Sequence, residues 1–187
     1  MPLLTPPESK TLTASEGLAH WSRVRISPSV PPLLDAAIAA TDDHLFVFGG
    51  RHADGSASAE LWQLELTTGA WSTARAGEYH RPEARSGHSL IALRGLLWLL
   101  GGRGASEELL PAELWQFTPS AMEWALVPST PDVLARADHC ATAYAGIGTM
   151  ILHGGRGRAG LRDDLWSWVR GPPASSPLPP TPAPAGS

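Results

Sequence analysis

The chain has 187 residues, 14 of them basic and 18 acidic, a near balance that argues against nucleic acid or an anionic membrane as its partner. No apolar run approaches the roughly 20 residues that span a bilayer, and no basic-then-apolar leader is visible, so a cytoplasmic protein is expected, with the nucleus as second compartment. Cys140 is the single cysteine, which excludes an internal disulfide.

Residues 1–18 are short of large apolar side chains after Leu4 and are expected to be disordered. A folded region is expected over 19–170, opening with a lone strand around Trp21. Next comes 33–40 (Leu-Leu-Asp-Ala-Ala-Ile-Ala-Ala), whose helix propensity is high in isolation. It nevertheless lies one period before 85–92, and that register predicts a strand. The apolar run Phe46-Val47-Phe48 ends at Gly49-Gly50. Beyond it, strands are predicted around Glu60-Leu61-Trp62 and Trp71. The middle of the chain reads most clearly, with strands predicted at 85–93, 96–100, 113–117 and 123–127. The last stretch repeats the order through Ile151-Leu152-His153 and a strand at 164–169. From 171 to 187 the chain is mostly Pro, Ala and Ser, which predicts a disordered tail.

These elements are copies of one unit. The glycine pairs Gly49-Gly50, Gly101-Gly102 and Gly154-Gly155 fall about 52 residues apart, each after an apolar run. Glu60-Leu61-Trp62 returns as Glu113-Leu114-Trp115 and as Asp164-Leu165-Trp166, and a second tryptophan returns at Trp21, Trp71 and Trp124. Arg85 and His88 return as Arg136 and His139. The first copy lacks this Arg and His.

A four-stranded unit with a glycine pair, this period and two placed aromatics resembles the kelch repeat. The resemblance covers roughly residues 19–169 and implies an all-β fold in which each unit is one blade of a β-propeller. Kelch units often carry Tyr where this chain has Trp on the third strand, a swap that keeps the packing role. About three blades are present, fewer than the five to seven with which such propellers generally close. The lone strand at Trp21 is the fourth strand that the last copy lacks. A piece or isoform of a longer propeller is the preferred reading of this count, a homodimer of six blades comes next, and an open arc is the least comfortable.

Several motifs reduce to blade parts. Residues 155–160 spell G-x-G-x-x-G, yet the next segment matches a third strand rather than the helix a dinucleotide site needs. His88 and His139 recur one period apart and are expected to do the same structural work in each blade. Some kelch-like propellers are copper-dependent oxidases built on Tyr, His and a cross-linked Cys. Cys140, Tyr79 and Tyr144 fall in no pattern matching that chemistry, so no enzyme, cofactor or metal site is expected. Pro177-Leu178-Pro179-Pro180-Thr181-Pro182 in the tail could dock an SH3- or WW-type groove, but no flanking Arg or Lys fixes an orientation and a plain linker or terminus is the preferred reading.

Arginine gives the candidate site. Arg51, Arg103 and Arg156 each follow a glycine pair, so the repeat puts them on one rim. Arg75, Arg81 and Arg85, in or bordering the loop between the first two units, are expected to approach it. A guanidinium fork suits carboxylates, so this rim is expected to bind an acidic peptide segment of a protein partner. The competing expectation is that each arginine pairs within its own blade, for example with Glu60, Glu113 or Asp164, or simply solvates its loop.

Overall fold

A computed structural model describes residues 30–74, 80–128 and 131–169. Trp21, Arg75, Tyr79 and the stretches 1–18 and 171–187, on which expectations were placed above, lie outside them. The described chain forms three antiparallel sheets in sequence, each a blade. Blade 1 consists of β1 (Ala37–Ala40), β2 (His44–Phe48), β3 (Leu61–Glu65) and β4 (Trp71–Thr73), adjacent in chain order. Blade 2 repeats this with β5 (Ser89–Leu93), β6 (Leu96–Leu100), β7 (Leu114–Thr118) and β8 (Glu123–Val127). A single turn of helix, α1 (Pro131–Leu134), and a short strand, β9 (Arg136–Ala137), lead into blade 3. Among the described residues blade 3 has β10 (Cys140–Tyr144), β11 (Thr149–His153) and β14 (Leu165–Val169), three strands where the others have four. Its loop carries β12 (Arg156–Gly157) and β13 (Gly160–Leu161), which pair with each other and with β9.

The register argument for 33–40 is upheld only in part. Ala37–Ala40 is strand, but Asp35 takes φ 54° and Leu34 makes a single bridge to Arg51. Blade 2 does the same: Gly87 has φ 63°, Ser86 bridges Arg103, and the strand starts at Ser89 rather than 85. The first strand of each blade is therefore interrupted by one left-handed residue. That kink is incompatible with a helix through 33–40 and shortens both predicted strands.

Alternation along the strands divides each sheet into two faces. Phe46, Phe48 and Leu61 of blade 1 pack against Leu90, Leu97, Leu99 and Phe117 of blade 2, and Trp124 joins them. On the other face of blade 2, Ile91, Trp98, Leu100 and Leu114 pack against Met150 and Leu152 of blade 3, with Leu134 from α1. Leu97, Leu99 and Phe117 are fully buried, each contributing about 2 kcal/mol over an exposed position. Hydrophobic contact between consecutive blades is thus the core.

Polar groups fasten the same joints. Arg85 is fully buried; its backbone carbonyl accepts from Gly50 N–H at 2.8 Å, and its side chain donates to Gly101 C=O at 3.0 Å. Arg136 repeats this one joint later, accepting from Gly102 N–H at 2.8 Å and donating to Gly154 C=O at 2.9 Å. Each arginine thereby ties its own blade to the glycine pair of the blade before. Gly49 and Gly101 both sit at φ 63°, where an added Cβ would strike the Arg85 or Arg136 carbonyl and the ring of His88 or His139. The glycine pair is demanded by this contact as well as by the backbone angle.

The acid of each third-strand motif completes the unit. Trp62, Trp115 and Trp166 donate their indole N–H to Glu60, Glu113 and Asp164, at 3.0, 2.8 and 2.7 Å. Arg136 donates to both oxygens of Asp164 at 2.6 and 2.8 Å, whereas Arg85 approaches Glu113 only to 3.8 Å. In blade 1 the equivalent of Arg85 is Leu33, so Glu60 has no such cation.

Candidate partner-binding face

Arg51, Arg103 and Arg156 occupy equivalent places, as the repeat requires. Each leaves a glycine pair and pairs with the residue just before the kink: Arg51 with Leu34, Arg103 with Ser86, Arg156 with Ala137. The kink residues Asp35, Gly87 and Asp138 are themselves linked. Gly87 N–H donates to Asp35 C=O at 3.1 Å, and Asp138 N–H donates to Gly87 C=O at 2.8 Å. Two of these positions thus present carboxylates beside the arginines.

That placement neutralises the first two cations. Arg103 donates to Asp138 at 2.5 Å and Asp35 at 3.0 Å, and contacts Glu107 at 3.0 Å. Arg51 pairs with Glu107 and donates to Ser86 Oγ at 3.1 Å. Burial alone would lower the Arg103 pKa, but Asp138, Glu107 and Asp35 outweigh it and raise it above the ordinary arginine value. The Arg51 hydrogen bond holds the Glu107 carboxyl below the usual range, with Arg103 and Arg156 assisting. Two guanidiniums and three carboxylates thus form one network. The partners are not Glu60 and Glu113, which are occupied by their own tryptophans.

Arg156 differs. It is exposed, and neither it nor the exposed Arg158 makes an ion pair among the described residues. Both line a cleft of about 490 Å³ with Arg103, Glu107, Glu108 and Leu109. The cleft lies where residues 155–160 form a hairpin, Gly157 pairing with Gly160 across Arg158-Ala159. No helix follows, so the G-x-G-x-x-G spelling is a turn that lifts Arg158 out of the sheet.

The remaining expected members fall elsewhere. Arg81 is exposed but does not line the cleft. Arg85 is corrected: a side chain with no exposed surface cannot meet a partner, and it works as the joint described above. Sequence reasoning missed Asp35, Asp138 and Glu107. Asp35 and Asp138 were detectable, since both stand two residues past the equivalent positions Leu33 and Arg136. Nothing in the spacing pointed to Glu107. Arg158 was seen only as part of a glycine-rich loop.

His88 and His139 are buried beneath the glycines of the preceding blade. His88 Nε2 lies 3.1 Å from Phe48 C=O, which can only accept, so Nε2 carries the proton. Burial, with Arg85 adding, pushes the His88 pKa down to about 3; burial and Arg136 push His139 to about 4. Both rings are neutral wedges at physiological pH. Cys140 and Tyr144 are exposed on β10, and no group of three or more His, Cys, Asp or Glu among the described residues is placed to hold a metal. No helix among the described residues is long and apolar enough to cross a membrane.

Four-stranded antiparallel blades that repeat a glycine pair and placed tryptophans define the kelch class of β-propeller. The chain belongs to the family described as the KLHDC2/KLHL20/DRC7 Kelch-repeats domain, whose sequence model matches residues 13–168. It is similar to rat Kelch domain-containing protein 3, at 30% identity over 116 residues, 62% of this chain and 30% of that protein. It is also similar to human tRNA wybutosine-synthesizing protein 4, at 34% identity over 114 residues, 60% of this chain and 16% of that protein. Human Leucine-zipper-like transcriptional regulator 1 matches at 27% identity over 121 residues, 62% of this chain and 14% of that protein. The chain therefore matches less than a third of the length of these relatives. The family is one of β-propeller protein-interaction modules.

Proposed function

We propose that the chain is a non-catalytic interaction module, an adaptor or scaffold whose loop face takes an acidic segment of a partner protein in the cytoplasm or nucleus. The observation that carries this reading is the contrast among equivalent arginines. Arg51 and Arg103 spend their charge on Glu107, Asp35 and Asp138, while Arg156 and Arg158 present theirs at the mouth of a cleft. Loops held on a rigid strand scaffold are where binding side chains concentrate. Glu107, already paired with Arg51 and Arg103, and Glu108 line the same cleft, so an acidic segment is favoured there only where it meets Arg156 and Arg158.

Fluorescence polarisation of a labelled hexaglutamate peptide tests the reading. Binding that weakens with salt, and at least tenfold in an Arg156→Ala/Arg158→Ala variant, supports it. A peptide that binds neither protein, or both equally, overturns it.

A second partner is favoured by a separate observation. Blade 3 carries Leu165 at 70% exposure, where the equivalent Leu61 and Leu114 are 3% and 1% exposed. A surface of that kind fits another blade, and a second copy of the chain supplies one.

A further inference from the structure

We infer that Glu107 is a built-in stand-in for a partner's carboxylate: it caps Arg51, a further anion subsite beside the cleft, and an acidic segment gains that arginine only by displacing it. The inference rests on the acidic-segment reading of the cleft and adds what holds part of the site shut.

The backbone marks Glu107 as the odd member of its loop. The loops of blades 1 and 2 differ in sequence but fold alike: Arg51 bridges Ala57, and Arg103 bridges Leu109. In blade 1 His52 N–H donates to Ser56 C=O at 2.9 Å, and Gly55 N–H donates to His52 C=O at 3.0 Å. In blade 2 Gly104 N–H donates to Glu108 C=O at 3.0 Å, and Glu107 N–H donates to Gly104 C=O at 3.3 Å. Glu107 therefore stands where blade 1 has Gly55. Both are left-handed, at φ 65° and 86°, a conformation that glycine takes freely and glutamate does not. A side chain kept there works against the backbone, and such residues gather at binding and switch sites.

That side chain reaches across the joint between blades. One carboxylate oxygen of Glu107 pairs with Arg51 of blade 1 and the other with Arg103 of its own loop, and the charge of Arg156 acts on it as well. Arg103 does not depend on Glu107, because Asp35 and Asp138 also hold it. Arg51 does depend on it. Among the described residues Glu107 is the one acid that Arg51 pairs with, and Ser86 Oγ accepts its hydrogen bond at 3.1 Å. The Arg51 Nε–H is buried without a hydrogen-bond partner, so the donor fork is not fully used. Glu107 lines the cleft together with Arg156 and Arg158, whereas Arg51 lies outside it. The glutamate is thus the partition between the free arginines and the capped one. Its side chain is 54% exposed, and a pair so open to solvent is weak enough for an incoming carboxylate to exchange with. With Glu107 swung aside, a run of acidic residues meets Arg156 and Arg158 at one end and Arg51 at the other.

Fluorescence polarisation of labelled hexaglutamate on the full 187-residue chain tests this through a double-mutant cycle. Glu107→Gln and Glu107→Gly should each tighten binding at least tenfold. The glycine variant restores the residue that blade 1 carries in the same turn, so its circular dichroism should match the unmodified protein. Arg51→Ala should change binding less than twofold when Glu107 is present, and should abolish the gain in the Glu107→Gln background. Glu108→Gln removes the same charge from the same loop without uncapping Arg51, and should tighten binding less than threefold. No gain from either Glu107 variant, an equal gain from Glu108→Gln, or a gain that survives Arg51→Ala overturns the inference. The two readings fail separately. Binding by the unmodified protein with no gain at Glu107 leaves the cleft reading standing, whereas binding seen only in the Glu107 variants upholds the cap and removes the cleft.

Discussion

Arg136 and Asp164 meet in a two-pronged pair, 2.6 and 2.8 Å long, between a guanidinium with no exposed surface and the carboxylate of the residue just before β14. The same two positions in blade 2, Arg85 and Glu113, stand 3.8 Å apart. The longer Glu side chain in blade 2 turns its oxygen to Trp115, while the shorter Asp164 serves both Arg136 and Trp166.

Removing the acid should therefore cost unequal amounts in the two blades. Asp164→Asn should destabilise by about 3 kcal/mol, because Arg136 keeps its burial and loses its countercharge. Glu113→Gln should cost under about 1 kcal/mol, since at 3.8 Å there is little pairing to lose. Midpoints of urea unfolding check both.

The two buried histidines set the acid limit. Their pKa values are about 3 and 4 in the fold against an ordinary 6.5, so the unfolded chain binds more protons over that interval. Stability is then fully present above about pH 6.5 and falls as pH drops, with a slope of about 1.4 kcal/mol per pH unit for each histidine. His139→Gln should remove about half of that slope between pH 6 and 4.5. Asp164, whose carboxyl is held low by Arg136, loses its contribution only below about pH 4. Urea unfolding at stepped pH separates the two windows.

Glycine at the blade joint should tolerate nothing. Gly101→Ala brings a Cβ within 2.4 Å of the Arg136 carbonyl and 2.9 Å of the His139 ring, and should cost about 3 kcal/mol. Gly55→Ala, at φ +86° with open space around it, should cost only about 1 kcal/mol from backbone strain. Thermal unfolding of the pair isolates the steric part.

The repeated tryptophans should divide by what covers them. Trp124 packs edge-on against Phe48 and tilted against Phe117, at ring distances of 5.4 and 5.0 Å, and Trp124→Ala should cost about 4 kcal/mol. Trp166 is 45% exposed, and Trp166→Ala should cost less than about 1 kcal/mol in a single copy. Intrinsic fluorescence with urea titration follows both.

The blades were legible because their signals are periodic. Leu96–Leu100 and Glu123–Val127 were bounded correctly since turn residues flank each one. The kinks at Asp35 and Gly87 were not, because a single left-handed residue leaves no mark on a hydrophobic pattern. The site was less legible for a related reason. Equal spacing put Arg51, Arg103 and Arg156 in equivalent places, but what distinguishes them is the acid each finds, and Glu107 comes from a loop outside the repeat pattern. Arg85 was misplaced because proximity to a loop says nothing of which way a side chain turns.

The most direct test of the functional account is amide hydrogen exchange with and without bound hexaglutamate peptide. The account predicts slowed exchange confined to 103–109 and 156–158, the two loop segments that line the cleft. Protection along the strands instead, or none at saturating peptide, would contradict it.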